Sequence, residues 1–157
     1  MKHLKSYNES IKDFLKPKSK ENIIKDLSKL NQEEKDNALR ISSKNGNADE
    51  VKLLIDAGAN VNFMDNSSVK WSSLNGYTKI LKLLMDGGAD ILVDDDYPLR
   101  TASRNGHTDI VKLLLDAGAD VHADNDYSLR ASSGNGHWDT VRILLDAGAN
   151  PKFIKYM

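Results

Sequence analysis

The feature that most constrains this chain is its period. Written in lines of 30, residues 38–67, 68–97, 98–127 and 128–157 align without a gap. Leu39, Val69, Leu99 and Leu129 fall in one column. The pairs Asn45-Gly46, Asn75-Gly76, Asn105-Gly106 and Asn135-Gly136 form a second, and Gly58-Ala59-Asn60, Gly88-Ala89-Asp90, Gly118-Ala119-Asp120 and Gly148-Ala149-Asn150 a third. A unit this short cannot bury an apolar face alone, so each copy must cover the next, and a stack with nearest-neighbour contacts is expected. Composition agrees with a thin, elongated shape. Counting Gly in place of Tyr, the 39% apolar fraction becomes roughly 42%, below the ~45–50% of a compact globule.

Inside a unit the spacing is helical. Ile110, Val111, Leu113, Leu114 and Leu115 share one broad face, with Lys112 and Asp116 opposite, and the stretch Asp116 to Gly118 ends that helix. The preceding segment, Leu99 to Asn105, carries Leu99, Ala102 and Ser103 inward and stops at Gly106, a residue suited to the left-handed conformation after a helix end. Each unit therefore reads as two short antiparallel helices, and the fold class as all-α. After Gly118, the run Ala119 to Asp126 has no helical period and is rich in turn formers, so it reads as a loop or short hairpin.

The stretch from Leu99 to Val121, with its Ala-Ser-Arg-Asn-Gly-His and Leu-Leu-Leu-Asp-Ala-Gly-Ala-Asp runs, resembles the ankyrin repeat, and the match recurs over 38–157. The family unit is ~33 residues and opens on Thr-Pro-Leu-His. Here the openings are Tyr97-Pro98-Leu99-Arg100 and Tyr127-Ser128-Leu129-Arg130. The missing residues fall between the Gly-Ala-Asp end of one unit and the next Leu, and the resemblance implies that they are lost from the projecting hairpin finger. This short-finger form is similar to arrays encoded by large DNA viruses and phages. The resemblance implies an ankyrin-type helical-pair solenoid with short interrepeat loops, non-enzymatic, whose first helices line a concave face.

Residues 1–37 precede the repeats and are expected to form an N-terminal basic arm and helical cap. Leu4, Tyr7, Ile11, Phe14 and Leu15, then Ile23, Ile24, Leu27 and Leu30, recur at helical spacing on either side of Pro17, and Asn31 to Glu34 resembles a capping box. Capping the stack is the reading preferred over a detachable arm for a membrane, nucleic acid or partner. Residues 1–20 carry a local charge of +4, which leaves −5 for the rest of a chain whose total is −1. A nucleic-acid footprint over the main body is therefore not expected, since it needs a clustered positive face. Cysteine is absent, which excludes a thiolate nucleophile, disulfides and cysteine metal sites and makes a reducing compartment the default. Without an apolar leader or a membrane-length apolar run, a cytoplasmic protein with no membrane span is expected, in a viral setting the host cytoplasm.

No residue constellation points to catalysis, a cofactor or a metal. His107 and His137 share a column with Asn47 and Tyr77, where hydrogen bonding between repeats is expected; His3 and His122 lack a second ligand at metal spacing. Asp94-Asp95-Asp96 lacks the interleaved ligands of a calcium loop and reads as a solvated turn. Arg40, Lys70, Arg100 and Arg130 each follow a polar or acidic residue by four, namely Asp36, Asn66, Asp96 and Asp126, and cross-linking of neighbouring loops by this pairing is expected. Lys52, Lys82, Lys112 and Arg142 read as a solvated stripe. In the last unit Thr140 and Arg142 read as partial polar capping of the stack, with Phe153, Ile154, Tyr156 and Met157 folding back over the remainder.

The functional expectation is a monomeric protein-protein interaction module, in a viral or phage setting an effector that occupies a host protein; the alternative is a self-associating structural or assembly component. Two first-helix columns carry the expected contact surface. One runs Ile41, Trp71, Thr101, Ala131 and the other Lys44, Leu74, Arg104, Gly134. Repeat two is the exception, with Trp71 and Leu74 beside Ile41, and with Phe63 and Met64 in the preceding loop where later units have Val93, Asp94, Ala123 and Asp124. An aromatic, apolar patch on a charged surface has the composition of an interface hot spot. Ile41, Lys44, Phe63, Met64, Trp71, Leu74 and Arg104 are the expected partner-binding residues, the competing reading being that Trp71 fills a packing gap left by Val69.

Overall fold

Asn31 opens the first helix pair. Its side chain accepts from the Glu34 N–H at 3.0 Å while Glu34 Oε2 accepts from the Asn31 N–H at 3.0 Å, the reciprocal capping box anticipated from the sequence. The computed structural model describes residues 20–27 and 29–154. Helix α1 is Lys20–Leu27, and four pairs follow: α2 Gln32–Asn45 with α3 Ala48–Asp56, α4 Phe63–Asn75 with α5 Thr78–Asp86, α6 Tyr97–Arg104 with α7 Thr108–Asp116, and α8 Ala123–Gly134 with α9 Trp138–Asp146. A 3₁₀ turn at Pro151–Phe153 closes the described chain. The helical-pair solenoid is therefore the observed fold, and the described residues contain no strand. Each Asn-Gly column turns between the two helices of a pair, with Gly46, Gly76, Gly106 and Gly136 at φ of 83°, 78°, 72° and 75°.

The core repeats with the period. Leu39, Val69, Leu99 and Leu129 are fully buried on the first helices, and Leu54, Leu84, Leu114 and Leu144 on the second. Small buried residues follow on the first helices, Ser42-Ser43, Ser72-Ser73, Ala102-Ser103 and Ser132-Ser133, and let successive first helices approach more closely than successive second helices do. The apolar face of α7 is narrower than its sequence suggests. Ile110, Val111 and Leu114 are buried, whereas Leu113 and Leu115 flank that stripe, half-exposed and packed against its edge, so only part of the broad face expected is buried.

Further packing is found at both ends of the described repeats. Leu27 of α1 is buried, and α1 lies against α3. Leu4, Tyr7, Ile11, Phe14 and Leu15 lie outside the described residues, as do the side chains of Ile23 and Ile24. At the other end Thr140 is fully buried, with its Oγ1 2.8 Å from Thr108 Oγ1, so it ties two repeats together and does not present the polar cap expected of it. Phe153 and Ile154, half-buried, pack against the core beside α8. Tyr156 and Met157 lie outside the described residues.

The connections hold the main departure from expectation. Where a loop or hairpin was anticipated, Met64-Asp65-Asn66, Asp94-Asp95-Asp96 and Asp124-Asn125-Asp126 each make one left-handed turn, with φ between 48° and 60°. Asp and Asn enter this region at lower cost than other residues with a Cβ because their short polar side chains bond locally. The third residue of the turn faces inward. Asp96 Oδ2 accepts from the Asp120 N–H at 3.1 Å and Asp126 Oδ1 from the Asn150 N–H at 3.0 Å, as Asp36 Oδ1 does from the Asn60 N–H at 2.6 Å. Asp94-Asp95-Asp96 is thus not merely a solvated turn.

Burial pushes the Asp96 carboxyl above its usual range, and the hydrogen bond from the Asp120 amide only partly opposes this. A carboxyl whose folded pKa is raised lends stability below its unfolded pKa and loses it as pH rises through the folded value. Asp96→Asn, the residue that stands at 66 in the same column, is therefore expected to stabilise the protein at pH 7 by up to ~1 kcal/mol. That advantage should shrink as the pH approaches 3. Urea melts at the two pH values measure it, and a net loss at pH 7 would show that the charged hydrogen bond outweighs desolvation.

Candidate functional site

The first helices present the candidate surface. On α2, Ile41 is half-buried and Lys44 exposed; on α4, Trp71 and Leu74 are half-buried. Lys44 Nζ lies 4.6 Å from the centroid of the Trp71 ring, a cation–π contact between neighbouring repeats. Leu74 and the exposed Arg104 line a groove of about 410 Å³ along α4, α6 and the start of α8, in repeats two and three. Phe63 is half-buried and Met64 is 59% exposed in the left-handed turn that precedes this face. The groove also takes Tyr97, Arg100, Thr101, Asn105 and Tyr127, which were not among the expected site residues. The signal for two of them was the column Tyr97, Tyr127, where repeat one has Ser67.

The basic column does cross-link loops, by a different pairing from the one expected. The inward acids bond backbone amides of the next connection, and the cations reach outward carboxylates and carbonyls instead. Lys70 Nζ sits 3.0 Å from Asp65 and 2.6 Å from Asp94, and the hydrogen bond to Asp94 holds the ammonium above its ordinary pKa against the opposing effect of burial. Arg100 donates to Asp124 Oδ2 at 3.1 Å and to the Asp94 carbonyl at 3.0 Å. Arg130 donates to the carbonyls of Asn125 at 3.0 Å and Asp124 at 2.8 Å. Arg100 and Arg130 also flank the Tyr127 ring, at 5.7 and 5.6 Å from its centroid. The first member, Arg40, makes no hydrogen bond or ion pair with any described residue, and its Nε is buried without a partner. The reason lies 24 residues on. Positions 94 and 124 supply a carboxylate to Lys70 and Arg100, and position 64 is Met.

The histidine column behaves as anticipated. His107 Nε2 is 3.0 Å from the Leu74 carbonyl and His137 Nε2 3.1 Å from that of Arg104, so Nε2 carries the proton, since a carbonyl only accepts. Asn105 and Asn135 donate to the same two carbonyls at 3.1 and 2.8 Å. These side chains close the ends of the preceding first helices. His122 bonds Asp126 within its own loop at 3.1 Å. On the opposite side of the stack, Lys52 pairs with Asp56 at 3.0 Å, whereas Arg142 reaches back to Asp139 at 3.8 Å, all exposed. A second, open groove of about 450 Å³ lies between α7 and α9, lined by Leu115 and Ile143 under the charged Lys112, Asp116, Arg142 and Asp146.

Among the described residues, no group of three or more His, Asp or Glu side chains is placed to hold a metal ion, and no helix is long and apolar enough to cross a membrane. A family model described as ankyrin repeats (3 copies) matches residues 3–95 and 71–154. No curated protein matches the chain.

Proposed function

The chain belongs to the ankyrin-repeat family, whose units are protein-protein interaction modules, and from that premise we propose that it binds a partner protein on the first-helix row, the concave side in arrays of this family, with Trp71 as the anchor. The carrying observation is the cluster on α2 and α4. Trp71 is held by Lys44 at 4.6 Å, flanked by Ile41 and Leu74, and continued along the row by the groove that Leu74 and Arg104 line. Half-buried aromatics framed by cations are the composition that concentrates binding energy. The shortened connections, each a single left-handed turn, leave the helix row as the broader contact surface. Phe153 and Ile154 cover apolar surface at the last repeat, which favours a monomer over growth through the stack ends. The likeness of 30-residue units to viral and phage arrays supports a role as an effector that occupies a host protein in the cytoplasm.

The test compares Trp71→Ala with Trp138→Ala, a tryptophan 53% exposed on α9 and remote from this row. With immobilised protein and extract of the natural host, Trp71→Ala is expected to weaken capture of the bound partner by ~2 kcal/mol or more, with little change in melting temperature. Trp138→Ala should capture as the parent does. If Trp71→Ala instead destabilises the fold and spares capture, Trp71 is core and the contact lies elsewhere.

A further inference from the structure

The cation column on the first helices is complete except at its start, and the gap adjoins the Trp71 cluster. Lys70 and Arg100 each take a carboxylate from the connection that follows, Asp94 at 2.6 Å and Asp124 at 3.1 Å. Arg130 spends its donors on the carbonyls of the left-handed turn before it. Arg40 has neither resource. Residues 34–36, which correspond to those turns, lie in the regular helix α2 where their carbonyls serve the helix, and position 64 is Met in place of Asp. One helical turn further, on the same face, Lys44 makes no ion pair with a described residue and rests on the Trp71 ring. In α2 the last acid is Asp36, which is buried and accepts from Gln32 Nε2 and the Asn60 N–H, and α4, α6 and α8 carry none after residues 66, 96 and 126. From Arg40 onward the first-helix row therefore presents cations and aromatic rings, and its acids are confined to the connections and the start of α2.

We propose that the partner is an acidic segment whose Asp or Glu carboxylate occupies, at Arg40 and Lys44, the place that Asp94 and Asp124 fill at the next two rungs, while an adjoining apolar side chain lies on Trp71 and Leu74. The guanidinium is suited to this, because it presents a planar fork that a carboxylate matches with two hydrogen bonds. Met64 keeps the rung open. It stands 59% exposed at φ 48°, a conformation that Asp adopts more readily in the two equivalent turns. A chain carrying Asp at 64 would satisfy Arg40 internally and close the site. This proposal rests on the concave-face reading above and goes beyond it by naming what the surface recognises.

Met64→Asp separates binding from folding. It supplies the internal carboxylate, so the melting temperature should hold or rise by up to ~3 °C, while binding falls. The probe is a fluorescein-labelled pool of 12-residue peptides with Asp or Glu at half the positions and Leu, Phe or Ser at the rest. A matched pool carries Asn and Gln in place of the acids, and a 12-nucleotide single-stranded RNA is the third ligand. By fluorescence anisotropy the acidic pool should bind the parent protein at least ~10-fold more tightly than the amide pool. Met64→Asp and Arg40→Gln should each lose about tenfold, and Arg40→Lys should lose less than Arg40→Gln. Several results overturn the proposal: no binding of the acidic pool, equal binding of the two pools, tighter binding of the RNA, or parent-like binding by Met64→Asp. If Trp71→Ala loses the host partner while Met64→Asp and Arg40→Gln keep it, the carboxylate site falls and the concave-face reading stands; if all three keep it, both fall.

Discussion

Leu114→Ala is expected to lower the free energy of unfolding by ~3–5 kcal/mol, the largest effect of a single apolar truncation on α7. Leu114 is fully buried, and the groups around it, Ile110, Val111 and the leucines of the adjoining repeats, are helix-bound and cannot collapse into the space left behind. The next position gives the contrast. Leu113 flanks the buried stripe and is half-exposed, so Leu113→Ala should cost ~1–2 kcal/mol. Lys112, exposed on the outer stripe, should stay within ~0.5 kcal/mol when changed to Ala. Three variants at consecutive positions thus report the orientation of α7, and urea melts read all three. Equal losses at 113 and 114 would mean that the helix is rotated from the position described.

Gly106→Ala is expected to cost ~2–3 kcal/mol, for two reasons that a second variant separates. Gly106 has φ +72°, where a side chain is strained, and a Cβ there would come within 2.5 Å of His137 Nδ1. The imidazole cannot simply tilt away. Its Nε2 is committed to the Arg104 carbonyl at 3.1 Å, and moving the ring breaks that bond between repeats. Gly118 has a left-handed φ of +96° with nothing within 4 Å of its would-be Cβ. Gly118→Ala should therefore carry only the backbone cost, ~1 kcal/mol. The excess at Gly106 measures the His137 lid, and adding His137→Ala to Gly106→Ala should remove the steric part of that excess. Identical losses at 106 and 118 in thermal melts would show that the lid contributes nothing.

The columns that the sequence displays are those whose physics is local. Helical periodicity, the capping box at Asn31 and Glu34 and the glycine that ends each first helix all act within a few residues, and each is found where its pattern puts it. The His107 and His137 contacts were also legible, because a column that recurs at a fixed period must meet its own neighbour in a stack. Thr140 shows the limit of that logic. Polarity alone suggested an exposed cap, yet a hydroxyl facing Thr108 across the repeat boundary is satisfied at 2.8 Å and can be buried at no cost in unpaired groups.

The charge pairing belonged to the tertiary structure. Along the sequence Arg100 stands four residues from Asp96, a spacing that favours an ion pair on one helix. The left-handed turn at 94–96 breaks that helix geometry. It turns Asp96 inward onto the Asp120 amide and leaves Asp94 outward, and Arg100 reaches Asp124 in the following turn. The same rotation changes the meaning of Met64. Read as a column it is one apolar member of a patch; in space it is the missing carboxylate of Arg40. Period and helix are set by interactions between residues close in the chain, so sequence alone determined the stack. Which side chain meets which across 24 residues depends on the hand of three backbone torsion pairs, and only the folded connections decide that.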